Sequence, residues 1–148
     1  MMQRLAVSAA ITSVLSLTGH AMAADPIETR QTIMSSVSAA AKVSGGMAKG
    51  EIPFNPDVAM AALTTFAAAG LSYSAFFPEG SDTGGDTRAK ETIWTDRDGF
   101  VAASEKFAAD ANAAIAAEPA DLDAFKAAFG SVAENCQSCH EEYRVPRN

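Results

Sequence analysis

The sequence has little of what usually holds a metal: two cysteines and two histidines in 148 residues. A structural zinc site takes four protein ligands, usually thiolates and imidazoles. His20 lies in a segment expected to be removed, which leaves Cys136, Cys139 and His140, one ligand short. Cationic charge is also scarce, with 11 Lys and Arg against 18 Asp and Glu and a formal net charge of −7. Such a surface argues against nucleic acid and against anionic membranes as partners. It suits steering toward a basic partner, although solubility alone accounts for it equally well. No charge run, internal repeat or long low-complexity linker divides the chain, and no strand-like run stands out.

Residues 1–23 read as a secretory signal rather than as part of the fold. Arg4 supplies the positive region, Leu5 to Leu17 is mostly apolar, and Ala21-Met22-Ala23 is an A-x-A-like cleavage site. The apolar stretch is shorter than the roughly 20 residues needed to cross a bilayer. The expected mature chain, residues 24–148, therefore starts at Ala24, is exported to the periplasm and has no membrane anchor. Losing Arg4 takes the formal charge from −7 to −8. About 125 residues remain, one domain by length and enough to bury a core.

Near the C-terminus stands Cys136-Gln137-Ser138-Cys139-His140. C-x-x-C-H is the attachment sequence of c-type haem. Each thiol can add across one vinyl group of the porphyrin, and the adjacent histidine becomes the proximal iron ligand. On a helix, positions 136, 139 and 140 share one face. A thioredoxin-type C-x-x-C would sit beside a strand at a helix start, whereas this one ends a helical pattern. A disulfide between the two cysteines is conceivable but leaves His140 unexplained. The cofactor expected is one covalent haem c, and export agrees with it because haem c is attached after export.

Four helices are predicted. Asp25-Pro26, a cap followed by proline at the first helical position, starts one that runs to about Met47. Asn55-Pro56 starts a second, which carries Val58, Ala62, Leu63, Phe66 and Ala69 to about Phe76. A connection from Phe77 to Glu91 holds Pro78, Gly80, Gly84 and Gly85, a cluster of breakers. Thr95 or Asp96 caps a third helix with Phe100, Phe107, Ala111 and Ile115 on one side, stopped by Glu118-Pro119. The fourth begins near Asp121. Its Leu122, Phe125, Phe129, Val132, Cys136, Cys139, His140 and Tyr143 follow the helical repeat, and Pro146 is expected to end it. Alanine-rich helices with short connections and one longer crossing loop imply an all-α antiparallel four-helix bundle with the haem in its interior, near the end of the last helix.

A bundle with C-x-x-C-H at its C-terminal end resembles the class II cytochromes c, meaning cytochrome c′ and low-spin relatives such as cytochrome c-556. Class I cytochromes carry the motif near the N-terminus. Arg30-Gln31-x-x-Met34 is similar to the family's first-helix pattern. Gly84-Gly85-Asp86-Thr87-Arg88 with Ile93-Trp94-x-Asp96 is similar to the segment before its third helix. Cys136-x-x-Cys139-His140-x-x-Tyr143-Arg144 is similar to its haem-binding end. Together these span about Ala24 to Arg147. The resemblance implies Met34 on the distal side of the haem, Arg30 and Gln31 near its propionates, and Arg144 beside the proximal imidazole. Homodimers formed through the first two helices are also implied, and Ala39, Ala40, Ser44 and Gly45 would allow close approach.

His140 is the only imidazole of the mature chain, so bis-histidine ligation within one protomer is excluded. Met34 either binds the iron as sixth ligand, giving a His/Met electron carrier, or stands off as apolar bulk. Met47 and Met60 read as packing residues near helix surfaces. Arg144 either acts on the proximal side or simply complements the helix C-terminus. Arg30 either pairs with a propionate or is a solvated helix residue. Trp94, Phe100, Phe107, Phe125, Phe129 and Tyr143 read as core and haem-packing aromatics. Two functions follow: an electron carrier with an unidentified redox partner, or a protein whose five-coordinate haem binds nitric oxide or carbon monoxide. An enzyme such as a peroxidase is disfavoured, since its chemistry would want a distal acid/base such as histidine.

Overall fold

The computed structural model describes residues 25–146. The leader assigned to residues 1–23 lies outside them. Five helices follow in order: α1 (Pro26–Ala48), α2 (Pro56–Ser72), a short α3 (Thr92–Thr95), α4 (Arg97–Ala116) and α5 (Leu122–Tyr143). A single 3₁₀ turn, Tyr73–Phe76, extends α2. The four long helices form the antiparallel bundle, with α2 and α4 in the closest contact.

Side-chain caps set the helix starts. Asp25 Oδ1 accepts from the Ile27 amide at 2.7 Å, and Asn55 Oδ1 from the Asp57 and Val58 amides at 2.9 and 3.1 Å. Asp96 caps α4 through the Gly99 amide, and Asp121 caps α5 through the Ala124 amide at 2.9 Å. Each satisfies donors that the first helical turn leaves without partners.

The expected stop at Pro146 falls too late. Helix α5 ends at Tyr143 because Arg144 turns extended (φ −125°, ψ 131°) and pairs with Ala89 in an isolated β-bridge. The Lys90 amide donates to Tyr143 O at 3.0 Å and the Val145 amide to Arg88 O at 2.8 Å. The long connection is thereby stitched to the end of α5.

The bundle has a closed end and an open end. At the closed end Phe66, Phe125, Leu63 and Val132 are buried, with Phe129 stacked on both Phe125 (5.5 Å) and Phe66 (6.0 Å). Met47 belongs here and is fully buried, not near a helix surface as its sequence position suggests. The turn after α1 folds back over it: the Glu51 and Ile52 amides both donate to Gly46 O. Helix α2 with its extension is long and apolar enough to cross a membrane by length and composition. In this fold it packs against α1, α4 and α5.

Candidate functional site

At the open end the helices part around a cavity of about 620 Å³, within the range of ligand pockets. Helix α5 brings Cys136, Cys139 and His140 to its wall, all half-buried. Their stripe continues the one that buries Val132 about one turn and Phe125 about three turns before Cys136. The cysteines are free thiols, so the disulfide alternative is not realised. Burial pushes both thiols up from their ordinary value, which keeps them as S–H groups. Burial, then Arg144, then Arg88 hold His140 below the usual imidazole range. A neutral imidazole offers the lone pair that iron ligation needs. Among the described residues no three His, Cys, Asp or Glu side chains group as a metal cluster.

Helix α1 supplies the facing wall. Met34, one turn after Arg30, lines the cavity and packs against the core with Ile33 and Ala41. Gln31 is exposed and ties α1 to the connection, its Nε2 donating to Asp86 O at 2.6 Å. Arg30 is not a solvated helix residue: it is only 4% exposed. Its Nε donates to Pro26 O at 3.1 Å and one terminal nitrogen to Ser81 O at 2.7 Å. The guanidinium carbon lies 4.4 Å from the Phe77 ring centroid and 5.9 Å from Trp94. Its other terminal nitrogen is buried without a partner, and burial lowers its pKa. A buried cation with a spare donor is costly unless an anion meets it. It fits a carboxylate entering the cavity.

The aromatics divide between the two ends. Phe125 and Phe129 serve the closed core. Phe100 joins Phe77 at 4.8 Å and Tyr143 at 5.1 Å beneath the cavity, with Trp94 against Phe77 at 5.8 Å. Phe107 lines the cavity and meets Phe66 of the closed core at 6.0 Å. Arg144 is exposed but lines the cavity too.

Three residues of the site have no role in the sequence reading. Arg88 lines the cavity near His140, and its guanidinium donates to Val145 O at 2.5 Å. It lies inside the Gly84–Arg88 stretch, but only the β-bridge brings it to α5. Asn135, just before Cys136, is 5% exposed, and its Nδ2 donates to Asp110 at 2.7 Å and Ser131 O at 2.9 Å. A polar residue abutting the motif on a buried stripe was the available signal. Tyr73 lines the cavity one turn after Ala69, another lining residue; that helical spacing was its signal.

Of the predicted site, Cys136, Cys139, His140, Arg30, Gln31, Met34 and Arg144 all meet at this one cavity. Attachment thiols and an imidazole presented into a four-helix bundle by its last helix define a class II type of c-haem protein. The family model for cytochrome C′ matches residues 25–144, and the chain belongs to the cytochrome c′ family. It is 36% identical over 126 residues to cytochrome c′ of Rhodopseudomonas palustris, covering 84% of each chain. It is 30% identical over 124 residues to cytochrome c-556 of Agrobacterium tumefaciens, covering 84% of this chain and all of the relative. The solved cytochrome c′ from Rhodopseudomonas palustris superposes with a TM-score of 0.81 at 36% identity, covering 85% of this chain and 100% of that one. A nitric oxide complex of a mutant cytochrome c prime from Alcaligenes xylosoxidans matches with a TM-score of 0.73 at 27% identity, covering 83% and 95%.

The protein is thus an electron-transfer haem protein whose cofactor is covalently attached haem c. Cys136 and Cys139 would tether the haem and His140 would bind its iron, and the bound group would supply a one-electron ferric/ferrous couple. The residues present fit it: two thiols, a neutral imidazole, an apolar chamber and a buried cation lacking an anion.

Proposed function

We propose that this chain is an exported, non-enzymatic electron-transfer protein in which Met34 gates the distal side rather than ligating, so that nitric oxide or carbon monoxide can enter. Met34 carries the reading, because its side chain packs into the apolar core while lining the cavity. The wall around it is Val37, Ala41, Ala69 and Phe107, a surface suited to small neutral ligands and lacking a distal acid or base. The likeness to a protein solved as a nitric oxide complex supports it. The likeness to cytochromes c-556 supports the other reading, a six-coordinate His/Met carrier. Periplasmic location is part of the proposal and rests on the leader and the haem-attachment motif.

A homodimer through α1 and α2 belongs to the proposal as well, with one amendment to the surface. Ser44 is fully buried within the protomer, so it cannot face a partner. Ala39 remains exposed, as do Val58 and Leu71, the latter 71% accessible.

Optical and EPR spectra of the ferric and ferrous protein, with and without nitric oxide or carbon monoxide, test the gate. A high-spin spectrum that shifts with gas, and tighter gas binding in Met34→Ala, are expected. A low-spin spectrum indifferent to gas, turned high-spin by Met34→Ala, would make Met34 the sixth ligand.

A further inference from the structure

Around the ring of Phe77 stand two groups from different elements. The Arg30 guanidinium of α1 lies 4.4 Å over it, and the Tyr73 ring meets its edge at 5.1 Å. Tyr73 is also 6.4 Å from Phe100, so the aromatic cluster fixes its ring on the cavity wall. Arg30 is buried and keeps one nitrogen unpartnered. We propose that Tyr73 is a positioning residue for the haem: its hydroxyl and the free nitrogen of Arg30 together form a two-donor site for one haem propionate. The inference rests on haem c occupying this cavity and adds to it a donor from the 3₁₀ turn.

The chemistry favours a carboxylate over the distal ligand as the target. Arg30 faces Tyr73 from α1, Arg144 and Cys139 face it from α5, and all three are in electrostatic range of its phenol. Arg88 and Asp86 border the same cavity from the connection, and His140 from α5. The cavity-facing residues of α4, namely Phe100, Ala103, Ser104 and Phe107, include no ionisable group. An anion entering here meets three arginines, Arg30, Arg88 and Arg144. Burial foremost pushes the phenol up to about 12, so it stays a donor throughout the working range.

Tyr73→Phe keeps the ring and removes only the hydroxyl. The readout is the pH dependence of the reduction potential of the haem-loaded protein, from optical redox titrations, after mass spectrometry has counted covalent haem. Donors that hold a carboxylate ionised lower its pKa. Losing one should move the break in the potential–pH curve up by about one unit, a tenfold change in proton affinity. Tyr73→Trp, which returns an N–H donor, should move the break back toward wild type, and carbon monoxide affinity should be unchanged in both. A break that stays in place in Tyr73→Phe overturns the inference. So does a tenfold change in carbon monoxide affinity without a shifted break, which would assign the phenol to the distal ligand. Wild type lacking covalent haem would sink the cofactor reading and the inference together.

Discussion

Gly70 is where the bundle is least able to accept a methyl group, and the consequence reaches the cavity. A Cβ built there lies 2.5 Å from the Ala108 backbone nitrogen, 2.8 Å from its Cα and 2.9 Å from its Cβ. Carbon pairs prefer about 3.5–4.0 Å, and the obstacle is mostly backbone, so α2 and α4 must separate by about 1 Å. Overpacking of this kind costs about 1–3 kcal/mol. The Ser104 hydroxyl donates to Gly70 O at 2.8 Å; straining that buried bond adds about 1 kcal/mol. For a domain of this size, 1 kcal/mol moves the thermal midpoint by about 4 °C, so Gly70→Ala should lose roughly 8–16 °C. Gly130→Ala on α5 is the matched control, since nothing lies within 4 Å of the added methyl. Removing a glycine from a helix interior should stabilise by about 0.5–1 kcal/mol, a gain of about 2–4 °C. Circular dichroism melts of the two haem-loaded variants measure both. Because Ala69 and Ser104 line the cavity, Gly70→Ala should also alter the haem spectrum while Gly130→Ala leaves it alone. Equal midpoints for the two variants would refute the packing argument.

Asp110 is held below the usual carboxylate range by hydrogen bonds from Lys106 (2.6 Å) and Asn135 (2.7 Å). A lowered folded value means the unfolded chain binds more protons, so this stability is full above the ordinary 3.8 and is lost as pH falls through the folded value. Asp110→Asn should therefore melt below wild type at neutral pH, with the gap closing in acid; a gap constant across the acid range counts against the network. Cys136→Ala with Cys139→Ala should leave no haem on the denatured chain, and haem that survives denaturation on this double variant would refute thioether attachment.

What could be read from the sequence was local in the chain. Caps at Asp25, Asn55, Asp96 and Asp121 announce helices because each bonds an amide two or three residues on, and C-x-x-C-H names its cofactor within five positions. The burial of Arg30 could not be read that way. Its partner Ser81 is 51 residues distant, in a connection whose glycines show only that it turns. Arg88 is similar: its bond to Val145 spans 57 residues, and without the bridge at Ala89 it would be one more surface cation. Met47 misled because its helix position fits a rim residue, and the fold-back of Glu51 and Ile52 onto Gly46 beside it cannot be read from helix spacing. The resemblance supplied what periodicity could not, grouping Arg30, Gln31 and Met34 with the C-x-x-C-H residues, and all of them line one cavity.

The two ends of the bundle have opposite requirements, and α5 has to meet both. Toward its start it is held by stacked rings, Phe125 on Phe129 on Phe66, which fix its axis by apolar packing. Toward its end the same face must be left open for a cofactor, so packing cannot hold it there. Polar stitching does so instead: Asn135 to Asp110 just before the motif, and the Ala89–Arg144 bridge with Lys90 and Arg88 just after it. Cys136, Cys139 and His140 are thus clamped from both sides by backbone and side-chain hydrogen bonds. The arrangement separates stability from tuning. The residues proposed to tune the haem, Met34, Tyr73 and Arg30, lie on α1 and the 3₁₀ turn, on elements other than those that carry the clamps. Substitutions at the clamps should loosen His140 and broaden the haem spectrum, whereas Met34→Ala should shift gas binding and Tyr73→Phe the potential.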